Sequence, residues 1–333
     1  MVDFLLIVSI FISFLTTFIS LPFWIKQAHL NGLSGKDMHK PDKRAVAEAG
    51  GITVLLGAAL GILFYVAANV FYFGKSDKLI YIFGLLAVIL ISAIVGLVDD
   101  LLGWKKGLTK TIRLGIVLFA AIPLMVLNAG TGIILLPFFG LVNFGIIYPL
   151  ILIPLGIVGA TTTFNFLAGY NGLEVKQGIL ILSALAVVTY LRGNPWLSVI
   201  ALIAIASLVA FYFYNKYPAK VFPGDVMTYS IGALIASIAI LGNVERIALF
   251  FFIPYLIEVG LKLRGKLKKE SFAKLNEDGS LEMPYERVYG LEHFAIKILK
   301  RIKPNKKVYE YEVVNLINLF QLLIILIGFI FIL

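Results

Sequence analysis

Apolar stretches of about twenty residues recur along this chain, and they leave one broad solution for its fold. A peptide group shut away from water must bond within its own element, so such stretches cross a bilayer as α-helices. Ten are legible, over residues 4–25, 49–72, 79–98, 112–128, 145–164, 177–192, 195–214, 226–242, 246–263 and 311–333. Only 14% of the 333 residues are charged, where a soluble domain carries about a quarter. The reading is an all-α integral membrane protein, one polytopic domain over residues 1–333. The first stretch is too long for the core of a signal peptide and lacks a small-residue cleavage site, so it reads as a span. The ninth is interrupted by Pro254 and contains Glu258. Cysteine is absent, which rules out disulfides and thiolate metal sites.

The placement of basic residues sets the expected orientation. With ten spans, 25 of the 29 Lys and Arg fall in one set of loops, thirteen of them in the long segment 262–310. Without that segment the split is still 12 to 4. Lys and Arg concentrate on the cytoplasmic side, so the basic loops are expected in the cytoplasm and both termini outside. Residues 129–144 carry no charge and read as a small outer hairpin. Within the cytoplasmic insert 262–310, the NEDGS turn at Asn276–Ser280 predicts a second hairpin. Residues Leu291 to Ile302 predict an amphipathic surface helix whose Lys297, Lys300 and Arg301 face lipid head groups.

The unusual polar residues gather in four segments on the basic side. His39 to Ile52 (HKPDKRAVAEAGGI) brings Glu48 to the membrane edge. Gly96 to Arg113 holds the pair Asp99 and Asp100 after about twenty apolar residues, then a run of lysines. Adjacent carboxylates repel unless a cation, a proton or a basic group relieves them, and a carboxylate near a bilayer is a functional-site hypothesis by default. Mg²⁺ is held by one or two carboxylates together with substrate phosphates, which suits an acidic pair beside lysines. Thr161 to Gly178 carries Asn165, Asn171 and Glu174 among glycines that let a ligand approach the backbone. Lys220 to Ala233 places Asp225 just before the eighth span. Each segment alone also has a plain structural explanation: a solvated helix end, an Asn-Gly turn, a helix cap. Their collection on one side favours metal-assisted phosphoryl transfer. No P-loop, HExxH or GxSxG motif is present. His39 and His293 are expected to be solvated loop residues, and the cluster from Lys262 to Lys269 is accounted for by the charge rule alone. Two rival classes stay open at this level, a transporter and a non-catalytic scaffold. A transporter is disfavoured by the lack of an internal repeat and of polar residues at mid-membrane.

Three motifs stand in order: DD at 99–100, NFLAGYNGLE at 165–174 and FPGD at 222–225. With them the chain resembles the polyprenyl-phosphate N-acetylhexosamine-1-phosphate transferases. The form of the second motif, with the Asn276–Met283 stretch, is most similar to the dolichol-linked branch. The bacterial phospho-MurNAc-pentapeptide translocase is a relative whose histidine-rich motif is missing here. The resemblance implies transfer of GlcNAc-1-phosphate from UDP-GlcNAc to a polyprenyl or dolichyl phosphate, with Mg²⁺ as cofactor and Mn²⁺ able to replace it. It implies Asn165 and Asp225 as metal ligands, Asp99 and Asp100 at the reacting centre, and Lys110 neutralising phosphate charge. Gly169 and Asn171 would meet the uracil, Glu48 the nucleoside, and Arg264, and less so Lys266 and Lys268, the diphosphate or sugar. It further implies a homodimer, no nucleic-acid partner, and a place in the cell membrane in preference to the endoplasmic reticulum.

Overall fold

The computed structural model describes residues 2–103, 107–136 and 140–331. In chain order the elements are α1 (Val2–Leu30), the hairpin β1 (Ser34–Lys36) and β2 (Ala45–Ala47), α2 (Gly51–Ala67, continued by a π-turn to Tyr72), α3 (Leu79–Leu102), α4 (Lys110–Ala120) and α5 (Ile122–Val126). The hairpin β3 (Ile133–Leu136) and β4 (Gly140–Asn143) follows, then a π-turn at Tyr148–Leu152, α6 (Ile153–Phe164), α7 (Leu173–Leu191), α8 (Pro195–Asn215) and α9 (Gly224–Gly242). The chain ends with α10 (Glu245–Phe251), α11 (Ile253–Arg264), the hairpin β5 (Lys274–Leu275) and β6 (Leu281–Glu282), α12 (Leu291–Ile302) and α13 (Glu310–Phe331).

Seven helices among the described residues are long and apolar enough to cross a membrane: α1, α2 with its π-turn, α3, α7, α8, α9 and α13. They coincide with seven of the ten expected spans. The other three expected spans fall on shorter apolar helices, over Thr111–Val126 and Tyr148–Phe164, and on the α10–α11 pair. The break between α10 and α11 lies at Phe252, with Pro254 in the first turn of α11. Proline lacks the N–H that a continuous helix needs there. Large apolar side chains of α1 and α13 face outward, Phe4, Phe11 and Ile330 among them. In water this would be an aggregation surface; in lipid it is the expected exterior. The protein is a multi-pass membrane protein.

Burial culminates in α9, where every residue from Val226 to Gly242 is enclosed. Small residues make this packing close, as is usual between helices in lipid. A Cβ at Gly96 of α3 would collide with the backbone of Asp225, and one at Gly232 would lie 2.6 Å from the Ala160 carbonyl oxygen of α6. The α1–α2–α8 layer is cross-linked by hydroxyls. Ser13 donates to the Ile203 carbonyl at 2.8 Å, Ser207 donates to the Val54 carbonyl at 2.7 Å, and Thr17 and Ser207 share a bond of 2.9 Å. Gly61 sits in this layer, where a Cβ would lie 2.6 Å from Ile203 Cγ2 and 2.9 Å from Ser13 Cβ. Gly61→Leu is therefore expected to cost about 2–3 kcal/mol and to lower Tm, measured in detergent. Gly115→Ala, inside α4 where the added carbon meets nothing within 4 Å, should not lower Tm.

The hairpin at β5–β6 and the amphipathic α12 stand where the sequence predicts them, and β3–β4 forms within 129–144. The β1–β2 hairpin was not foreseen, because its strands are three residues long and carry no alternation. It matters for the site. Phe222 donates to the Ala47 carbonyl at 2.8 Å, while Gly50 and Gly51 donate to Phe222 and Pro223 carbonyls at 3.0 and 2.9 Å. The approach to α2 and the FPGD segment thereby become one paired unit.

Candidate active site

Two clusters of polar side chains meet at one end of the helices. The first is acidic and partly open to solvent. Asp99 and Asp100 lie in the last turn of α3, and Asp225 in the first turn of α9. Arg113 of α4 forks between two of them, with Nη2 2.7 Å from Asp99 Oδ2 and Nη1 3.1 Å from Asp225 Oδ2. A guanidinium can do this because its donors are fixed in a plane. Asp99 also accepts from the Leu108 amide at 2.7 Å. Asp100 is used differently. Its two oxygens accept the amides of Asp225 and Val226 at 2.7 and 3.0 Å, so it caps α9 from the neighbouring helix. A Cβ at Gly224, whose φ is +71°, would collide with this carboxylate. Asp225, which could have been only a cap, is left free to face the cleft.

Asn165 ends α6 and sits beside Asp225. Its Nδ2 is buried and lies against Asp225 without a well-formed hydrogen bond. Three carboxylates against one guanidinium leave the cluster negative, and all its free donors are hard oxygens. That set, with the amide of Asn165, fits Mg²⁺. Glu48 precedes α2 and lies within Coulombic reach of Asp100. Partial burial pushes its carboxyl pKa up, and a Cβ at Gly35 would collide with it. Lys110 opens α4 one turn before Arg113, and its side chain lies outside the described residues, as do Lys105 and Lys106.

The second cluster is buried and braces the NFLAGYNGLE loop. Gly169 has φ +100° and donates to Glu174 Oε1 at 2.8 Å; it is exposed, and the Phe272 ring lies where a Cβ would come within 3.1 Å. Asn171 is 6% exposed. Its backbone amide donates to Glu310 at 2.7 Å and its side chain to Asp37 at 3.0 Å, so it clamps the loop to the β1–β2 hairpin and to α13. Lys40 joins Asp37 at 3.5 Å and also pairs with Glu310. Asp37, His39 and Glu310 have metal-ligating spacing, but the Lys40 ammonium already sits between the two carboxylates. Asn171→Ala removes the bond to Asp37 and is expected to cost about 1–2 kcal/mol and to lower Tm, checked by melting in detergent. The side chain braces the loop and has no bond to the acidic cluster.

His39 and His293 correct the expectation of solvated loop residues, for they are 3% and 0% exposed. His39 Nε2 accepts from the Ala273 amide at 3.2 Å, and its ring packs 4.3 Å from Tyr170. His293 is buried beside Glu292, Glu258 and Lys262 in the seam between α11 and α12. There Glu258 accepts the Leu291 amide at 2.6 Å and pairs with Lys262 at 3.3 Å, which explains the acid within the ninth expected span: it caps α12. Burial, with Lys262 adding, pushes the His293 pKa down to about 4. A base so depressed stabilises the fold above its ordinary pKa and loses that share as pH falls toward about 4. Burial of Glu292 pushes its carboxyl up, which acts in the opposite sense. The test is therefore a difference: the Tm of His293→Gln relative to wild type should rise between about pH 7 and about pH 5. A constant offset would contradict it.

Arg264, Lys266 and Lys268 are exposed in or after the last turn of α11. Arg264 lies 5.9 Å from the Tyr289 ring centre, and no described contact joins the three to the acidic cluster. The residues that sequence reasoning passed over are Arg113, Tyr170, Phe272 and Glu310. Of these only Arg113 left a signal, a cation placed inside an expected span.

The same stretch of chain is recognised in comparison with known proteins. The model of glycosyl transferase family 4 matches residues 82–243, which hold Asp99, Asp100, Arg113, Asn165 and Asp225. A Saccharolobus solfataricus protein, provisionally named UDP-N-acetylglucosamine–dolichyl-phosphate N-acetylglucosaminephosphotransferase, is 39% identical over 93% of this chain and 90% of its own length. A Sulfolobus acidocaldarius protein with the same provisional name is 30% identical over 98% and 96%. The phospho-N-acetylmuramoyl-pentapeptide-transferase of Streptococcus pyogenes serotype M5 is 32% identical over 77% and 78%. The chain belongs to glycosyl transferase family 4.

Proposed function

We propose that this enzyme transfers N-acetylglucosamine 1-phosphate from UDP-GlcNAc to a polyprenyl or dolichyl phosphate, releasing UMP. The observation that carries this reading is the near end-to-end similarity to proteins named for that reaction, joined to an acidic cluster at the ends of membrane-capable helices. The relatives named above do not favour a transporter or scaffold reading.

In the proposed reaction an oxygen of the lipid phosphate bonds to the sugar-side phosphorus of the UDP-sugar. The bond from that phosphorus to the bridging oxygen breaks, and the electron pair leaves with UMP. Asp225 and Asn165, with Asp99 beside them, are the residues to hold Mg²⁺. The ion, when bound, supplies neutralisation of the diphosphate. Arg113 keeps Asp99 and Asp225 at a fixed spacing and offsets their repulsion. Asp100 orients Asp225 through the α9 backbone, and Asp99 is the nearer candidate to position the attacking phosphate. Lys110 is proposed to face phosphate charge, and Gly169, Glu48 and the loop braced by Asn171 to face the nucleoside. Arg264 and Lys266 are proposed at the diphosphate or sugar. An aspartyl–phosphosugar intermediate is the competing chemistry; its mark would be sugar phosphate trapped on the protein without acceptor lipid.

Ten spans, outer termini and a cytoplasmic site in the cell membrane belong to the same proposal, as does a homodimer. The absence of cysteine makes orientation directly testable. In sealed right-side-out vesicles an impermeant maleimide should label Lys75→Cys and spare Asp278→Cys. The reverse would invert the topology. For the chemistry, mass analysis of the lipid product should show an added N-acetylhexosamine and one phosphate. A product lacking the second phosphate would overturn the transfer proposed.

A further inference from the structure

A groove of about 500 Å³ opens between the end of α1, the β1–β2 hairpin and the loop from α8 to α9. Its floor is apolar, with Ile25, Val46 and Tyr214. Its rim is basic: Lys26 and His29 from α1, Arg44 from the hairpin and Lys220 from the loop. No carboxylate lines it. Lys26 and His29 could be accounted for by the negative end of the α1 dipole. Arg44 and Lys220 could not, because they come from two separate loops that converge on the same opening. Arg44 pairs with Asp42 at 3.1 Å, with both side chains about half exposed, a pair that costs little to open. Beside the groove the outward apolar surface resumes at once, with Phe18 and Phe23 of α1 and Phe213 of α8 exposed. An occupant must be anionic at one end and apolar at the other.

We infer that this groove binds the phosphate headgroup of an anionic lipid of the surrounding bilayer, and that occupancy steadies the FPGD segment. The acceptor substrate is the other phosphate-bearing lipid at hand. No residue of the acidic cluster lines the groove, so a phosphate held there is not in line with the reaction. The link to activity is covalent and short. Lys220 donates its amide to the Tyr214 carbonyl at 2.8 Å, and Val221 bridges to Ala47. Phe222 then pairs with Ala47 and Gly50, and Gly51 with Pro223, which sets Asp225. The groove walls are thus the two segments whose pairing holds that aspartate. A headgroup bridging Arg44 and Lys220 would resist their separation.

The activity arm rests on the reaction proposed above; the binding arm does not. Protein in detergent is titrated with phosphatidylglycerol or phosphatidylcholine, and bound lipid is counted by native mass spectrometry. Phosphatidylglycerol should be retained in preference. Lys26→Gln, Arg44→Gln and Lys220→Gln should each weaken it about fivefold, whereas Lys75→Gln, exposed in the loop after α2 and away from the groove, should not. In vesicles, adding phosphatidylglycerol to phosphatidylcholine should stimulate wild-type UMP release and fail to stimulate the triple variant, with the acceptor KM unchanged. Equal retention of the two lipids, or a triple variant that binds like wild type, would overturn the inference. Displacement by millimolar inorganic phosphate would show a free-anion site, and competition by polyprenyl phosphate with a raised acceptor KM would show a substrate site; either also overturns it. If no UMP release is found at all, the retention data still decide whether the lipid site exists.

Discussion

Asp225→Asn is expected to lower lipid-dependent UMP release by at least about a thousandfold while the protein stays folded. The carboxylate of Asp225 faces the cleft between Asn165 and Arg113, whereas the hydrogen bonds that start α9 run from its backbone to Asp100. Removing one negative charge takes away a proposed metal ligand and leaves the cap in place. Arg113 keeps Asp99 as its partner at 2.7 Å, so no buried cation is stranded. The contrast is Asp100→Asn, which weakens the cap and should lower Tm as well as rate. Nucleotide and lipid binding by Asp225→Asn should survive in the absence of metal. A variant that retains more than about a tenth of wild-type rate would remove Asp225 from the metal site.

Arg113→Met should give the second large effect, and on two quantities at once. It leaves Asp99 and Asp225 repelling each other across a half-enclosed cleft, with no cation between them. Stranding partly buried charges in this way costs about 3 kcal/mol, so Tm should fall. The rate should fall by about a hundredfold or more, because the spacing of the two acids is lost. Arg113→Lys keeps the charge without the fork, so it should recover stability in part and little of the rate. The double variant Arg113→Met with Asp99→Asn relieves the repulsion. It should regain much of the Tm and none of the activity. Thermal melting and UMP release on the four proteins measure this directly. Equal Tm values for wild type and Arg113→Met would contradict the bridging role.

Much of the fold was legible because its cause is local. The hydrophobic run of each long helix is continuous in sequence, the NEDGS turn specifies its own hairpin, and the apolar face of Leu291–Ile302 repeats at helical spacing. The acids at 99, 100 and 225 were legible because a charge at the end of an apolar run is costly and therefore informative. What the sequence concealed depends on partners far along the chain. Asn171 reads as a turn residue or a ligand contact, and only the approach of Asp37 and Glu310, 134 and 139 positions away, makes it a clamp. His39 looks solvated until Ala273 and Tyr170 close over it. Asp99 and Asp100 are neighbours of one type, yet one faces Arg113 and the other the end of α9. Adjacent helix positions point about 100° apart, so packing alone separates their roles. The β1–β2 hairpin is too short to leave a pattern, and its importance comes from pairing with Phe222.

Transfer of a sugar phosphate to a lipid phosphate at the acidic cluster is tested most directly by UMP release from purified protein given UDP-GlcNAc, a polyprenyl phosphate and Mg²⁺. Asp225→Asn and Asp99→Asn are run beside the wild type, and folding of each is verified by melting. Release that requires both the lipid and the metal, and that both substitutions abolish, is the predicted result. Folded wild-type protein that releases no UMP from any UDP-N-acetylhexosamine, or releases it equally without lipid phosphate, would contradict transfer to a lipid phosphate.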